Sequence, residues 1–166
     1  MIQADNSQTS IGRTRSGQFE LPESFISLSE EETFALGMRL SSMLGKGDVV
    51  ALNGPLGAGK TCFTKGIAEG LGIEEELTSP SYAIVSEYEC LAGGERLLFY
   101  HIDAYRLEGN DDFSAIGGED IVYGNGISVI EWGDRIPAFI RSGAYRIDLE
   151  IIEGDKRSVK IVKQGR

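Results

Sequence analysis

The feature that most restricts what this chain can fold into is Gly54-Pro-Leu-Gly-Ala-Gly-Lys60-Thr61, which follows directly on the apolar run Val49 to Leu52. A short buried strand, a glycine-rich loop and then a helix is the setting of a phosphate-binding P-loop. Glycines at 54, 57 and 59 let the backbone turn successive N–H groups inward onto phosphate oxygens. Lys60 adds a point charge for the β- and γ-phosphates, Thr61 a hydroxyl for Mg²⁺, and the helix its positive dipole end. Gly54, Gly57, Ala58, Gly59, Lys60 and Thr61 are therefore the expected contacts of a nucleoside triphosphate.

A length of 166 residues suits one domain with a real core. The expected boundaries are a flexible tail over 1–22, rich in polar residues and glycine, and a P-loop domain over 23–166. A transit peptide is the functional alternative for the tail, but Arg13 and Arg15 are its only basic residues and it has no amphipathic stripe. No apolar run approaches the ~20 residues that span a bilayer, so no membrane role is expected. The formal charge of −10 argues against broad electrostatic binding to nucleic acid. Cys62 and Cys90 lack metal-ligand spacing, which fits a reduced, cytoplasmic chain.

The expected architecture is α/β, a single P-loop NTPase domain with a mixed parallel and antiparallel central sheet flanked by helices. Phe25 to Leu28 reads as a strand, and Ser29-Glu-Glu-Glu32 as a capping box opening a helix. Along that helix Phe34, Leu36, Met38, Leu40, Met43 and Leu44 form an apolar side, and Gly45 supplies the stop. The helix reads as one packed on the sheet, with Thr33 the residue that could approach the nucleotide base. After the P-loop, Phe63, Ile67 and Leu71 recur at helical spacing and Gly72 ends the helix. Leu77 to Tyr82 is a hydroxyl-bearing loop broken by Pro80, either a plain connection or a sensor of the γ-phosphate.

Tyr82 to Tyr88 and Arg96 to Ile102 read as a hairpin joined by Cys90 to Glu95, and Tyr145 to Ile152 with Ser158 to Val162 as a second. Short helices are expected at Asp111 to Ile116 and Glu119 to Tyr123. Two apolar runs end in acids, Asp103 and Glu131. Open α/β sheets bind ligands at the carboxyl ends of their strands, so both acids are candidates for Mg²⁺ or for positioning water. His101 is the only histidine and shares a strand face with Asp103, either as a satisfied structural group or as part of the site.

Several blocks in a fixed order, Ser29-Glu-Glu-Glu-Thr33, Gly54 to Thr61, Ser79-Pro-Ser-Tyr82, His101-Ile-Asp-Ala-Tyr-Arg106, Ile116-Gly-Gly-Glu119 and Ile130-Glu-Trp132, resemble the TsaE (YjeE) family of small bacterial ATPases. Those proteins serve threonylcarbamoyladenosine (t6A) synthesis on tRNA. The resemblance implies ATP and Mg²⁺ as cofactors, with Lys60 on the terminal phosphates, Thr61 and Glu131 on the metal side, and Asp103 ordering water or bridging to the metal through water. It implies Ser81 in a switch-like loop and Trp132 flanking the nucleotide. It also implies TsaD and TsaB as protein partners, with tRNA met only indirectly. Cys62 and Ser81 depart from the family's usual threonines, Cys62 keeping the amide that reaches the α-phosphate in this resemblance, and Arg106 is a candidate arginine finger or half of a structural pair.

Two other classes compete. A P-loop small-molecule kinase would carry an Arg-rich lid, and no such segment is present. A nucleotide-dependent regulator without turnover would need Lys60 and Thr61 but neither acid.

Overall fold

The computed structural model describes residues 23–78 and 83–165, so the expected tail and the Ser79–Tyr82 loop, with Ser81, lie outside the described residues. The elements in order are β1 (Ser24–Ser27), α1 (Glu30–Ser41), β2 (Val49–Asn53), α2 (Lys60–Gly70), β3 (Val85–Ala92), β4 (Glu95–Asp103), α3 (Asn110–Ala115), α4 (Gly118–Val122), β5 (Ile127–Glu131), β6 (Tyr145–Glu153) and β7 (Lys156–Lys163). They build one sheet of order β1-β7-β6-β2-β5-β4-β3. The inner strands β6, β2, β5 and β4 run parallel, while β3 and β7 add antiparallel edges and β1 extends β7. The mixed sheet expected from the sequence is the one observed.

Alternation along the strands separates two cores. Val50 and Leu52 of β2, with Val129 of β5 and Phe99 of β4, face α1 and α2 and meet Leu36, Leu40, Phe63 and Ile67. Val49, Ile102 and Ile130 face the other way, toward Phe113, Val122 and Phe139. Because β2 and β5 are buried along their whole lengths, their apolar runs leave only the strand ends to carry polar chemistry.

The elements depart from expectation in instructive places. Ser29 caps α1 by accepting from the Glu32 amide, but the Glu32 carboxylate reaches back to the Leu28 amide, one residue before the cap. The helix ends at Ser41, four residues before Gly45, because Ser41 and Ser42 hydroxyls bond the carbonyls of Met38 and Arg39 and the following amides tighten to i−3 carbonyls. Met38 and Met43 are exposed, at 41% and 40%. The buried side of α1 runs instead through Thr33, Leu36, Gly37, Leu40 and Ser41, since it packs on α2. There a Cβ on Gly37 would strike the Phe63 carbonyl and one on Gly66 the Phe34 carbonyl, so glycine lets the two backbones touch.

The first hairpin turns on Gly93 and Gly94, both with positive φ, a two-residue primed turn, so β3 continues through Cys90 to Ala92. The α2 helix ends as anticipated: Gly72 donates to Glu69 and Ile73 to Ala68, a Schellman motif.

Candidate nucleotide site

The P-loop leaves the carboxyl end of β2 at the centre of the parallel strands. Asn53, the last residue of β2, donates to Asp148 of β6 at 3.0 Å and accepts from the Asp134 amide at 2.9 Å, which pins the strand end from which the loop departs. Gly54 has φ +145° and a Cβ there would enter the Leu149 carbonyl, so the first turn of the loop admits only glycine.

Lys60 opens α2 and is only 5% exposed. Its ammonium donates to the carbonyls of Gly54 at 2.6 Å and Pro55 at 2.9 Å, and lies 3.8 Å from the centre of the Trp132 ring. Burial lowers its pKa from the ordinary lysine value, against the opposing pull of Glu131, Asp103 and Asp134. Trp132 takes φ 59° and ψ 42°, a left-handed conformation held by a residue with a bulky side chain. That turn carries the indole over Lys60 and against Tyr105, whose ring centre is 5.0 Å away.

Parallel register places Asp103 opposite Glu131 at the ends of β4 and β5. Both are on the α2 side of the sheet. Glu131 is 3% exposed and accepts the Thr61 hydroxyl at 2.9 Å on Oε2; His101 Nε2 lies 2.8 Å from Oε1. Asp103 is half-buried and accepts the Tyr105 amide at 3.0 Å. Lys60, Thr61, Cys62, Asp103, Glu131 and Trp132 all border one hollow of about 310 Å³. A hollow of about 350 Å³ between Arg141 and Lys163 borders the start of β2, the edge of a parallel sheet that ligands do not use.

The side chains of two expected contacts make bonds of their own. The Thr33 hydroxyl is turned into the β1–α1 junction, 2.7 Å from Ser27 Oγ, and only its methyl group approaches Gly59. Cys62 donates its thiol to the Glu30 carbonyl at 3.3 Å, and burial pushes its pKa up, so it sits in the hollow as a neutral thiol. Exposed Arg106 does not border the hollow.

Other residues escaped the sequence reading. Thr64 lies on the same face of α2 as Thr61, three residues on, and its hydroxyl is 3.4 Å from Glu131; that spacing was a usable signal. Arg135 stands 5.2 Å from the Tyr105 ring and 5.8 Å from that of Trp132. Arg157 reaches the P-loop from β7, and nothing local to it announces that contact.

A glycine-rich loop between a central parallel strand and a helix, with a buried lysine, a hydroxyl and two strand-end acids around one hollow, defines a P-loop nucleotide-binding protein. The family model described as threonylcarbamoyl adenosine biosynthesis protein TsaE matches residues 27–160. The chain belongs to the TsaE family. It is 40% identical over 136 residues to the tRNA threonylcarbamoyladenosine biosynthesis protein TsaE of Treponema pallidum, covering 82% of this chain and 97% of that one. The Bacillus subtilis protein of the same name is 35% identical over 138 residues, 83% of this chain and 84% of its own. The crystal structure of YdiB from Bacillus subtilis superposes with a TM-score of 0.66 at 32% identity, covering 86% of this chain and 85% of that chain.

Proposed function

We propose that this chain is the ATP-binding and ATP-hydrolysing subunit of t6A37 modification of tRNA, working in the cytoplasm with TsaD and TsaB. The observation that carries the reading is the single hollow bordered by Lys60, Thr61, Glu131 and Asp103. A nucleotide holder that never turns over has no use for two acids beside the lysine. No helix among the described residues is long and apolar enough to cross a membrane. The net charge of −10 suits docking on a protein complex better than gripping tRNA.

The donors around the hollow are oxygens, the hydroxyl of Thr61 and the carboxylates of Glu131 and Asp103, which suits Mg²⁺. Among the described residues no cluster of histidine, cysteine or carboxylate could cage an ion unaided. That fits a metal carried in by the nucleotide phosphates, with one or two carboxylates completing its shell. Bound there, the ion would neutralise charge building on the β- and γ-phosphate oxygens.

The chain's own groups have distinct tasks in this reading. P-loop amides hold the phosphates, Lys60 leaves the Gly54 and Pro55 carbonyls for the terminal phosphates, and Thr61 and Glu131 face the metal. Asp103 orders water, and Trp132 flanks the nucleotide. Ser81 belongs to the switch-like loop in the same scheme. With no arginine among the described residues that border the hollow, the isolated chain hydrolyses slowly and the partners accelerate it.

The test is phosphate release by the full chain, alone and with TsaD and TsaB, alongside t6A formation on tRNA. Stimulated release coupled to repeated product formation is the expected result. Nucleotide binding without release under both conditions would leave a regulator.

A further inference from the structure

Fully buried His101 occupies β4 on the face that looks toward α2, with Nε2 2.8 Å from Glu131 Oε1. A carboxylate only accepts, so this nitrogen carries the proton and donates. The other neighbour of Oε1 is the Thr64 hydroxyl at 3.4 Å, but its one hydrogen has the Lys60 carbonyl at 2.9 Å. The imidazole is thus the close donor to Oε1. The second oxygen, Oε2, takes the Thr61 hydroxyl. Donors from β4 and α2 therefore hold the two ends of one carboxylate. Because the Thr61 hydrogen is committed to Oε2, its lone pairs are left for the hollow.

We infer that His101 is a positioning residue for the metal side of the nucleotide site: its Nε2–H fixes the Glu131 rotamer and, through Oε2, the orientation of the Thr61 hydroxyl. This rests on the reading of Glu131 as a metal-side acid. A histidine serving only to fill the core is the competing account. Against it stands Nδ1, buried and without a hydrogen-bond partner among the described residues. An apolar side chain would fill that space and leave no nitrogen unsatisfied, so the group that distinguishes histidine here is the bonded Nε2–H. Metal ligands held by outer hydrogen bonds lose roughly tenfold or more in metal affinity when those bonds are removed.

The experiment titrates Mn²⁺ into the full chain saturated with ADP, following bound ion by electron paramagnetic resonance. ADP affinity is measured separately in chelator. The variants are His101→Leu, which lacks the donor, His101→Gln, whose amide can reach Glu131, and Glu131→Gln. His101→Leu is expected to weaken Mn²⁺ roughly tenfold with metal-free ADP affinity unchanged, while His101→Gln stays near wild type. Wild-type Mn²⁺ affinity in His101→Leu, or equal weakening in Leu and Gln, would overturn the positioning role. If Glu131→Gln binds Mn²⁺ as wild type does, the metal-side reading itself fails. If Glu131→Gln weakens binding and His101→Leu does not, only the role of His101 falls. Should His101→Leu not fold, His101→Asn replaces it, with an amide too short to reach Glu131. Asn weaker than Gln then supports the role, and Asn equal to Gln refutes it.

Discussion

Arg157 donates from Nη2 to the carbonyl of Gly57 at 3.0 Å, tying the β6–β7 hairpin to the tip of a P-loop 100 residues earlier in the chain. Its other amino group bonds the carbonyls of Gly154 and Lys156, so one guanidinium spans hairpin and loop. The contact is exposed, and one hydrogen bond to a charged donor is the whole of it. Arg157→Ala should therefore weaken nucleotide binding by roughly threefold to tenfold, read by titration of a fluorescent nucleotide. Unchanged affinity would show that the loop holds its shape without the tether.

Lys60 and Glu131 should each be indispensable to partner-stimulated hydrolysis. Lys60→Ala and Glu131→Ala are expected to lower phosphate release by at least about a hundredfold, the scale of losing one aimed charge or donor. Full activity in either variant would reject the assignment of that residue. Glu131→Ala also leaves the buried His101 without an acceptor for Nε2–H, so its fold is checked by urea unfolding alongside the activity.

The buried ammonium of Lys60 also predicts a pH dependence. Its folded-state pKa is lowered by burial, so between the folded and unfolded values the unfolded chain binds more protons. Raising the pH through that window stabilises the ligand-free fold. The same loss of charge weakens hold on phosphates. ADP affinity should fall on the alkaline side at a pH below that of an ordinary lysine, and Lys60→Arg should remove that limb. Coincident profiles for wild type and Lys60→Arg would count against the lysine as the titrating group.

The sole tryptophan gives a direct optical test. Trp132 lies 3.8 Å from the Lys60 ammonium, which must leave the Gly54 and Pro55 carbonyls to meet phosphates. Adding ADP should shift or quench its emission, and Lys60→Ala should alter the spectrum before any nucleotide is added. An unchanged spectrum at saturation would separate the indole from the site.

What the sequence made legible were local features. The P-loop and the Gly72 helix stop are read from spacing within a turn or two, and the place of Asp103 and Glu131 at strand ends from the apolar runs before them. The alignment of Asp103 with Glu131 depends on β4 pairing with β5, a choice of strand order that no local pattern encodes. Arg157 was invisible for the same reason. The pairing of the Thr33 hydroxyl with Ser27, six residues earlier, is set only when β1 folds back beside α1. The end of α1 was misplaced because the hydroxyls of Ser41 and Ser42 capture helix carbonyls before Gly45 is reached.

The α1–α2 contact is the least legible feature and yields the sharpest stability prediction. A hydrophobic stripe suggested packing of α1 on the sheet through large side chains, yet Gly37 and Gly66 bring the two helix backbones together, each against a carbonyl of the other helix. A methyl group at Gly66 meets backbone that cannot swing aside as a side chain would, so the helices must separate. Gly66→Ala should then destabilise the fold by about 3 kcal/mol, the upper end of overpacking effects. Gly45→Ala, with nothing near its missing Cβ, should stay within about 0.5 kcal/mol of wild type. Because α2 begins with Lys60 and Thr61, the displaced helix should also weaken ADP binding. Urea unfolding and ADP titration of both variants check this, and a Gly66→Ala protein as stable as Gly45→Ala would mean that the helices yield at little cost.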